Sequence, residues 1–367
     1  MEEFILKFKA FVRDKNKLMP LLALICLALI AWAGFNAHSW IDRAGIRGKS
    51  GNSGQAASEP IAPKIELVRR WIDGVKVEPG KENVFPIAVM IENHADSRPP
   101  AGLSHANLVY EAEAEGGITR FLAVFASGDK IDKIGPVRSA RPYYIDWAMD
   151  LKGLYVHCGG SPEALAKIIN ERVLDLNEFY NAPVFWRDSK RAAPHNVFTS
   201  TDKLYNYLEK NKIDLKGKSG MVSEWKYKDD LFLENRPEKG GITVFYKGND
   251  FTVQWKYDKI TNDYARFQGP TAHVDDDGTP IKAKNVIVQF ASTSIIDEEG
   301  RRQVATTGKG KAEICLDGQC RAGSWKKKNK NSRTVYYEDD GQEVELNAGT
   351  AWVSVVPIGY KIQVDVK

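Results

Sequence analysis

The sequence is short of the groups through which most enzymes and nucleic-acid binders announce themselves. Four cysteines and six histidines occur in 367 residues. Cys315 and Cys320 are the one close cysteine pair, and no second Cys/His pair stands at the spacing a zinc site needs. There is no Gly-rich phosphate-cradling loop and no Gly-x-Ser-x-Gly elbow, which argues against P-loop nucleotide hydrolases and α/β-hydrolases. Charge of one sign is lacking too. The 52 basic residues face 48 acidic ones for a net +4, and they are scattered rather than massed, so the concentrated basic face of a nucleic-acid binder is missing. Asp275-Asp-Asp-Gly278 lacks the spaced ligands of a calcium loop and reads as a turn. No metal site is expected.

What stands out first is one long apolar run. Leu18 to Ile41 is 24 residues without a formal charge, long enough to cross a hydrocarbon core as a helix. Lys7, Lys9, Arg13, Lys15 and Lys17 precede it, while only Arg43, Arg47 and Lys49 follow closely. That asymmetry predicts a cytoplasmic basic segment over 1–17, a transmembrane signal anchor over 18–41 and an extracytoplasmic remainder. Ala31-Trp-Ala33 offers the competing reading of a cleaved signal peptide. Cys26 follows Leu24-Ile25 rather than a small residue, which argues against lipidation there. Residues 42–63, rich in Gly, Ser, Ala and Pro, read as a flexible tether.

Beyond the tether, apolar runs alternate with helical patterns over 64–218. Phe85–Ile91, Ile118–Phe125, Lys133–Val137 and Leu154–Cys158 read as strands; Arg141–Leu151, Ser161–Asn170 and Thr201–Lys210 read as helices. This predicts an α/β or α+β layered ligand-binding domain. Residues 219–239 are polar and read as a connection. From 240 to 367 short alternating stretches are broken by turn dipeptides, which predicts an all-β domain, a sandwich or a barrel. Cys315 and Cys320 flank an Asp-Gly turn, and in an exported chain that favours a local disulfide over a zinc half-site.

The chemistry concentrates between residues 92 and 142. Arg120, Arg138 and Arg141 read as an anion clamp, since guanidinium groups grip phosphate or carboxylate through paired hydrogen bonds. Internal pairing with Glu111, Glu113 and Glu115 is the competing reading, because strand alternation would turn those three to one face. Glu92, Asn93 and His94 follow a buried strand, and Asn196 with His195 sits on a loop. The expected ligand set is Arg120, Arg138, Arg141, Glu92, Asn93, Glu111, Glu115 and Asn196. His195 and Glu115 are the candidate proton carriers. His157 reads as a core histidine, Cys158 as a small buried hydrophobe and Lys326–Lys330 as a solvated hairpin tip.

Several of these stretches carry a family resemblance: Ile87-Ala-Val-Met-Ile-Glu-Asn-His94, Glu115-Gly-Gly-Ile-Thr-Arg-Phe-Leu-Ala-Val-Phe125, Ile134-Gly-Pro-Val-Arg-Ser-Ala-Arg-Pro-Tyr-Tyr144 and Pro194-His-Asn-Val197. Tyr264-Ala-Arg266, Gly323-Ser-Trp-Lys326 and Trp352-Val-Ser-Val-Val-Pro357 extend it to the second region. On these residues the chain resembles the YerB-type lipoproteins of bacterial envelopes, a two-domain family without assigned function. It departs from the lipoprotein members in lacking a modifiable cysteine context. The first region is also similar to the LytR-CpsA-Psr phosphotransferases, through its strand order and Cys158-Gly-Gly-Ser-Pro-Glu163, yet the acid beside their signature arginine is missing from Pro136-Val-Arg-Ser-Ala-Arg141. The resulting expectation is a single-pass, extracytoplasmic envelope protein that binds an anionic cell-wall ligand or works with wall-assembly proteins. Its alternative is a phosphotransferase or hydrolase acting on a polyprenyl-pyrophosphate-linked precursor, and only that alternative calls for a divalent metal.

Overall fold

In the computed structural model the described residues are 66–215, 225–247 and 251–365. The expected basic segment, signal anchor and tether lie outside them. Among the described residues no helix is long and apolar enough to cross a membrane.

The centre of the molecule is built where the sequence is most continuously apolar. Strands β1 (Ile87–Glu92), β2 (Leu108–Glu113) and β3 (Thr119–Phe125) are buried at every residue. A strand covered on both faces has no solvent side to alternate with, so its sequence runs apolar without a break. β4 (Leu154–His157) and β5 (Asp175–Asn177) extend this sheet in parallel with β1. The second region supplies β6 (Gly241–Phe245), β7 (Thr252–Asp258), β8 (Asp263–Gln268), β9 (Asn285–Ala291), β10 (Gly308–Leu316), β11 (Gln319–Lys327), β12 (Val335–Glu338), β13 (Ala351–Pro357) and β14 (Ile362–Val364).

These strands do not form a sandwich or barrel of their own, which corrects the expectation for 240–367. Among the described residues the region has no α-helix, but its main strands divide between two sheets. β9 to β13 join the first region in one ten-stranded sheet of order β12-β11-β10-β9-β13-β2-β3-β1-β4-β5. The seam is β13 lying parallel to β2, with Ala351 opposite Leu108 and Val355 opposite Ala112. β14, β6, β7 and β8 form most of a second, six-stranded sheet. No sequence pattern distinguishes a strand that completes its own domain from one that completes a neighbour's.

Three layers result. The second sheet packs on one face of the large sheet, where Val253, Trp255 and Tyr264 meet Val89, Ile91, Phe121 and Trp352. Trp352 lies edge-on to Phe121 and Trp255, with centroids 5.3 and 5.1 Å away. Helix α1 (Pro142–Met149) and helix α2 (Pro162–Glu171) cover the other face, with Tyr144, Trp147, Ala164 and Ile168 against Met90, Tyr110 and Leu122. Each fully buried large apolar side chain in these layers contributes roughly 1.5–3 kcal/mol. Helix α3 (Thr201–Lys210) packs through Leu204 and Leu208 on the second-sheet side. Helix starts follow the sequence signals: Ser161 Oγ accepts from Ala164 N and Ser200 Oγ from Lys203 N, both at 3.3 Å.

Lys133–Val137 is not a strand; it makes single bridges to Thr199, Ala101 and Ile91. The β10–β11 hairpin turns at Asp317 and Gly318, whose φ values of 52° and 76° fit the two-residue turn that suits twisted strands. Cys315 and Cys320 face each other across it and are disulfide-bonded.

Candidate functional site

Strand alternation sorts the acidic run, though not as one set. Glu111 and Glu113 both face the second sheet. Glu111 is fully buried; it accepts from Arg266 Nη2 at 2.8 and 3.0 Å, from Trp352 Nε1 at 3.0 Å and from Thr119 Oγ1 at 2.9 Å. Glu113 lies 2.8 Å from Arg302 Nη2 and accepts from the Tyr360 hydroxyl. β2 then ends, and the turn through Gly116 and Gly117, at φ of 65° and 76°, carries Glu115 out of that alternation. Glycine adopts such backbone at least cost. Glu115 meets Arg141 Nε at 2.5 Å and Nη2 at 2.7 Å, and Arg120 Nη2 at 3.2 Å. Burial raises the Glu115 carboxyl, but Arg141 and then Arg120 outweigh it and hold the group below the ordinary range.

The three arginines therefore do not form a clamp of equals. Arg120 and Arg141 are mostly buried and committed to Glu115, with Arg120 Nη1 also donating to Ser139 O at 3.1 Å. Arg138 differs. Its side chain is 23% exposed, and its Nε lies 2.9 Å from Glu92 Oε1. That contact is close enough for an ion pair, yet Nε makes no aligned hydrogen bond. We read it as a charge contact rather than a lock, because a hydrogen bond depends on angle and Coulomb attraction does not.

Glu92 ends β1 and stands opposite Arg120 in register, hence on the same sheet face. Its other oxygen lies 2.8 Å from His195 Nδ1, and His195 stacks on His94 with centroids 5.0 Å apart and planes 17° from parallel. His94, Asp96 and His195 bring ligand-type atoms within 4.8 Å of one another. One ion cannot lie in the planes of two stacked rings at the usual 2.0–2.1 Å. A metal would need one ring to turn.

Beyond the next parallel strand, Cys158 N donates to Arg138 O at 3.0 Å and its thiol to Glu178 Oε2 at 3.4 Å. Burial, then the Glu178 carboxylate, pushes this thiol up to about 12, so it is no nucleophile at neutral pH. Arg187 bridges Glu178 at 3.0 Å and Asn196 Oδ1 at 3.2 Å. Glu92, Cys158 and Glu178 thus lie at the carboxyl ends of β1, β4 and β5, the edge where parallel strands place ligands.

Of the expected ligand set, this edge gathers Arg138, Glu92 and Asn196, with Arg120, Arg141 and Glu115 behind them. Glu111 and Asn93 do not belong. Asn93 is fully buried, donates to Thr119 Oγ1 at 2.7 Å and accepts from Arg98 Nε at 3.2 Å. His157 is a core histidine, its ring nitrogens 2.7 Å from Gly159 O and 3.0 Å from Asp175 Oδ2. Glu178 and Arg187 escaped the sequence reading. Their only signal is position: Glu178 directly follows a three-residue strand too short to recognise alone.

With this geometry in place, comparison with known proteins gives a consistent result. Residues 73–214 match the N-terminal domain, and residues 242–353 the C-terminal domain, of a family described as a protein of unknown function, DUF3048. A relative from Bacillus subtilis (strain 168), named "Putative lipoprotein YerB", is 31% identical over 307 residues, covering 82% of this chain and 89% of that protein. The chain belongs to the DUF3048 family. The crystal structure of the YerB protein from Bacillus subtilis superposes with a TM-score of 0.73 at 30% identity, over 82% of this chain and all of that one. The family's two domains here make a mostly-β α+β fold with few helices, and the ten-stranded sheet runs through both.

Proposed function

We propose that this DUF3048 member is an extracytoplasmic envelope protein held at a membrane, and that its first domain holds a phosphate- or carboxylate-bearing wall ligand on Arg138. The relative named as a lipoprotein supports the location. So does the apolar run over 18–41 with its basic leading flank, which reads as a single-pass anchor. One observation carries the ligand reading. Arg138 is a part-exposed guanidinium whose Nε makes no aligned hydrogen bond among the described residues, in a cluster where three arginines share Glu92 and Glu115. One positive charge is left in excess at the carboxyl ends of the parallel strands β1, β4 and β5.

The test is a retention assay with the full-length protein in detergent, using polyprenyl-linked and soluble wall precursors. Arg138→Ala removes a charged hydrogen-bond donor worth about 1.5–3 kcal/mol and is expected to weaken retention about tenfold to a hundredfold, with only a small loss of thermal stability because Glu92 keeps its His195 contact. Arg141→Ala is expected to lower stability instead, because Glu115 loses its main partner. Undiminished retention by Arg138→Ala would remove the reading.

The Glu92–His195 contact favours a second reading, hydrolysis or phosphoryl transfer on a pyrophosphate-linked precursor. A carboxylate fixing one ring nitrogen leaves the other to carry a proton. Product formed only with an added divalent metal, and lost in His195→Gln, would promote it over simple binding.

A further inference from the structure

Five to seven strand positions across the large sheet from β1, the β10–β11 hairpin and β12 frame an open groove of about 660 Å³. Its charged lining is entirely basic: Lys309, Lys326, Lys327, Lys328 and Arg333. The expected solvated tip therefore resolves into unlike parts. Lys327 is buried and neutralised, its Nζ 2.6 Å from Asp150 Oδ1. Lys330 lies 3.1 Å from Glu171. Lys309, Lys326 and Lys328 are exposed, and among the described residues none has a carboxylate within ion-pair distance.

Two features favour an anion here. Arg333 is 1% exposed, its guanidinium 3.6 Å from the Trp225 ring centroid. Its Nη2 reaches only Ile72 O at 3.5 Å, and among the described residues Nε and Nη1 have no hydrogen-bond partner, with Asp150 acting on the guanidinium only through space. A buried guanidinium with two unused donors is costly unless something accepts from it. Second, Lys309 and Lys326 are direct cross-strand partners. Like charges placed opposite each other destabilise a hairpin unless an anion lies between them. Lys326 otherwise rests on the Tyr337 ring at 4.4 Å.

We propose that this groove binds the phosphate groups of an extended, water-soluble polyanion. A planar carboxylate matches one fork; a tetrahedral phosphate accepts from several directions, as donors from three chain segments require. Spacing three lysines around one recessed arginine suits a chain of phosphates better than a single ion. A lipid surface fits less well. Arg333 is recessed, and the groove's apolar lining is Val335 and Tyr337, neither an exposed large hydrophobe that would enter a bilayer.

The test uses full-length protein in neutral detergent, titrated with inorganic polyphosphate, with inorganic phosphate, and with phosphatidylglycerol vesicles in parallel. Saturable polyphosphate binding that weakens with added salt is expected, together with a rise in unfolding temperature. The combined variant Lys309→Ala, Lys326→Ala, Lys328→Ala changes only exposed side chains and is expected to bind polyphosphate at least about tenfold more weakly. Arg138→Ala is expected to bind it normally, which separates this groove from the first-domain site. No saturable binding, binding unchanged in the triple variant, or binding to vesicles alone would each overturn the proposal.

Discussion

Residue identity decides which charges are structural. Glu111 and Arg266 are both fully buried and pair with each other, with Arg266 also facing the rings of Phe121, Trp255 and Trp352. Removing one partner strands the other's charge, so Glu111→Gln is expected to cost about 3–5 kcal/mol, read by denaturant unfolding. His273 packs beside Arg266, and burial, then that guanidinium, hold its pKa well below the ordinary 6.5. Unfolding releases it to take up a proton. Its contribution is whole above pH 6.5 and falls with acidification, at up to about 1.4 kcal/mol per pH unit until the folded group titrates. Chemical denaturation at pH 7 and pH 5 checks this, with His273→Gln expected to flatten that part of the slope. The Arg and Glu residues of the site were legible as chemistry, and so was their internal pairing as an alternative, but not which glutamate takes which arginine. Glu111 and Glu115 read alike in the sequence, and only the glycine turn after β2 sends the second of them to the arginines.

At the scale of elements, the local signals were nearly complete. Ser161 and Ser200 cap helices that begin where the Ser-Pro and Ser-Thr steps place them. The Asp317-Gly318 turn sets the register that brings Cys315 opposite Cys320. A six-residue ring closed by a disulfide restricts the unfolded chain by on the order of 2 kcal/mol. Cys315→Ala with Cys320→Ala is expected to lower stability by about that much while leaving circular dichroism of the native state intact. Where the sequence reading failed, the elements were short. β5 has three residues, and Lys133–Val137 makes only isolated bridges, so neither carries enough period to be told from a loop.

For the molecule as a whole, the consequence of the shared sheet is cooperative. β2 lies between β3 and β13, and Glu113 is neutralised by Arg302 from the second region. A chain ending at Lys218 would expose one edge of β2 and leave Glu111 and Glu113 buried without their arginines. Such a fragment is expected to lack a near-ultraviolet dichroism signal, and the full chain to unfold in one transition by both tryptophan fluorescence and far-ultraviolet dichroism. Two separated transitions, or a well-folded fragment, would refute that.

What the amino-acid sequence determined alone was whatever acts over a few residues: strand and helix positions, caps, the hairpin turn, the cysteine pair, and an arginine-rich edge after β1. These depend on periodicity, φ preference and side-chain chemistry, which are local properties. Tertiary structure alone decided that β13 completes the first region's sheet, that Arg120 and Arg141 are spent on Glu115 while Arg138 is not, and that the buried Arg333 shares a groove with three exposed lysines. Each of those rests on contacts between residues far apart in the chain, and charge neutralisation depends on distance in space rather than on order in sequence.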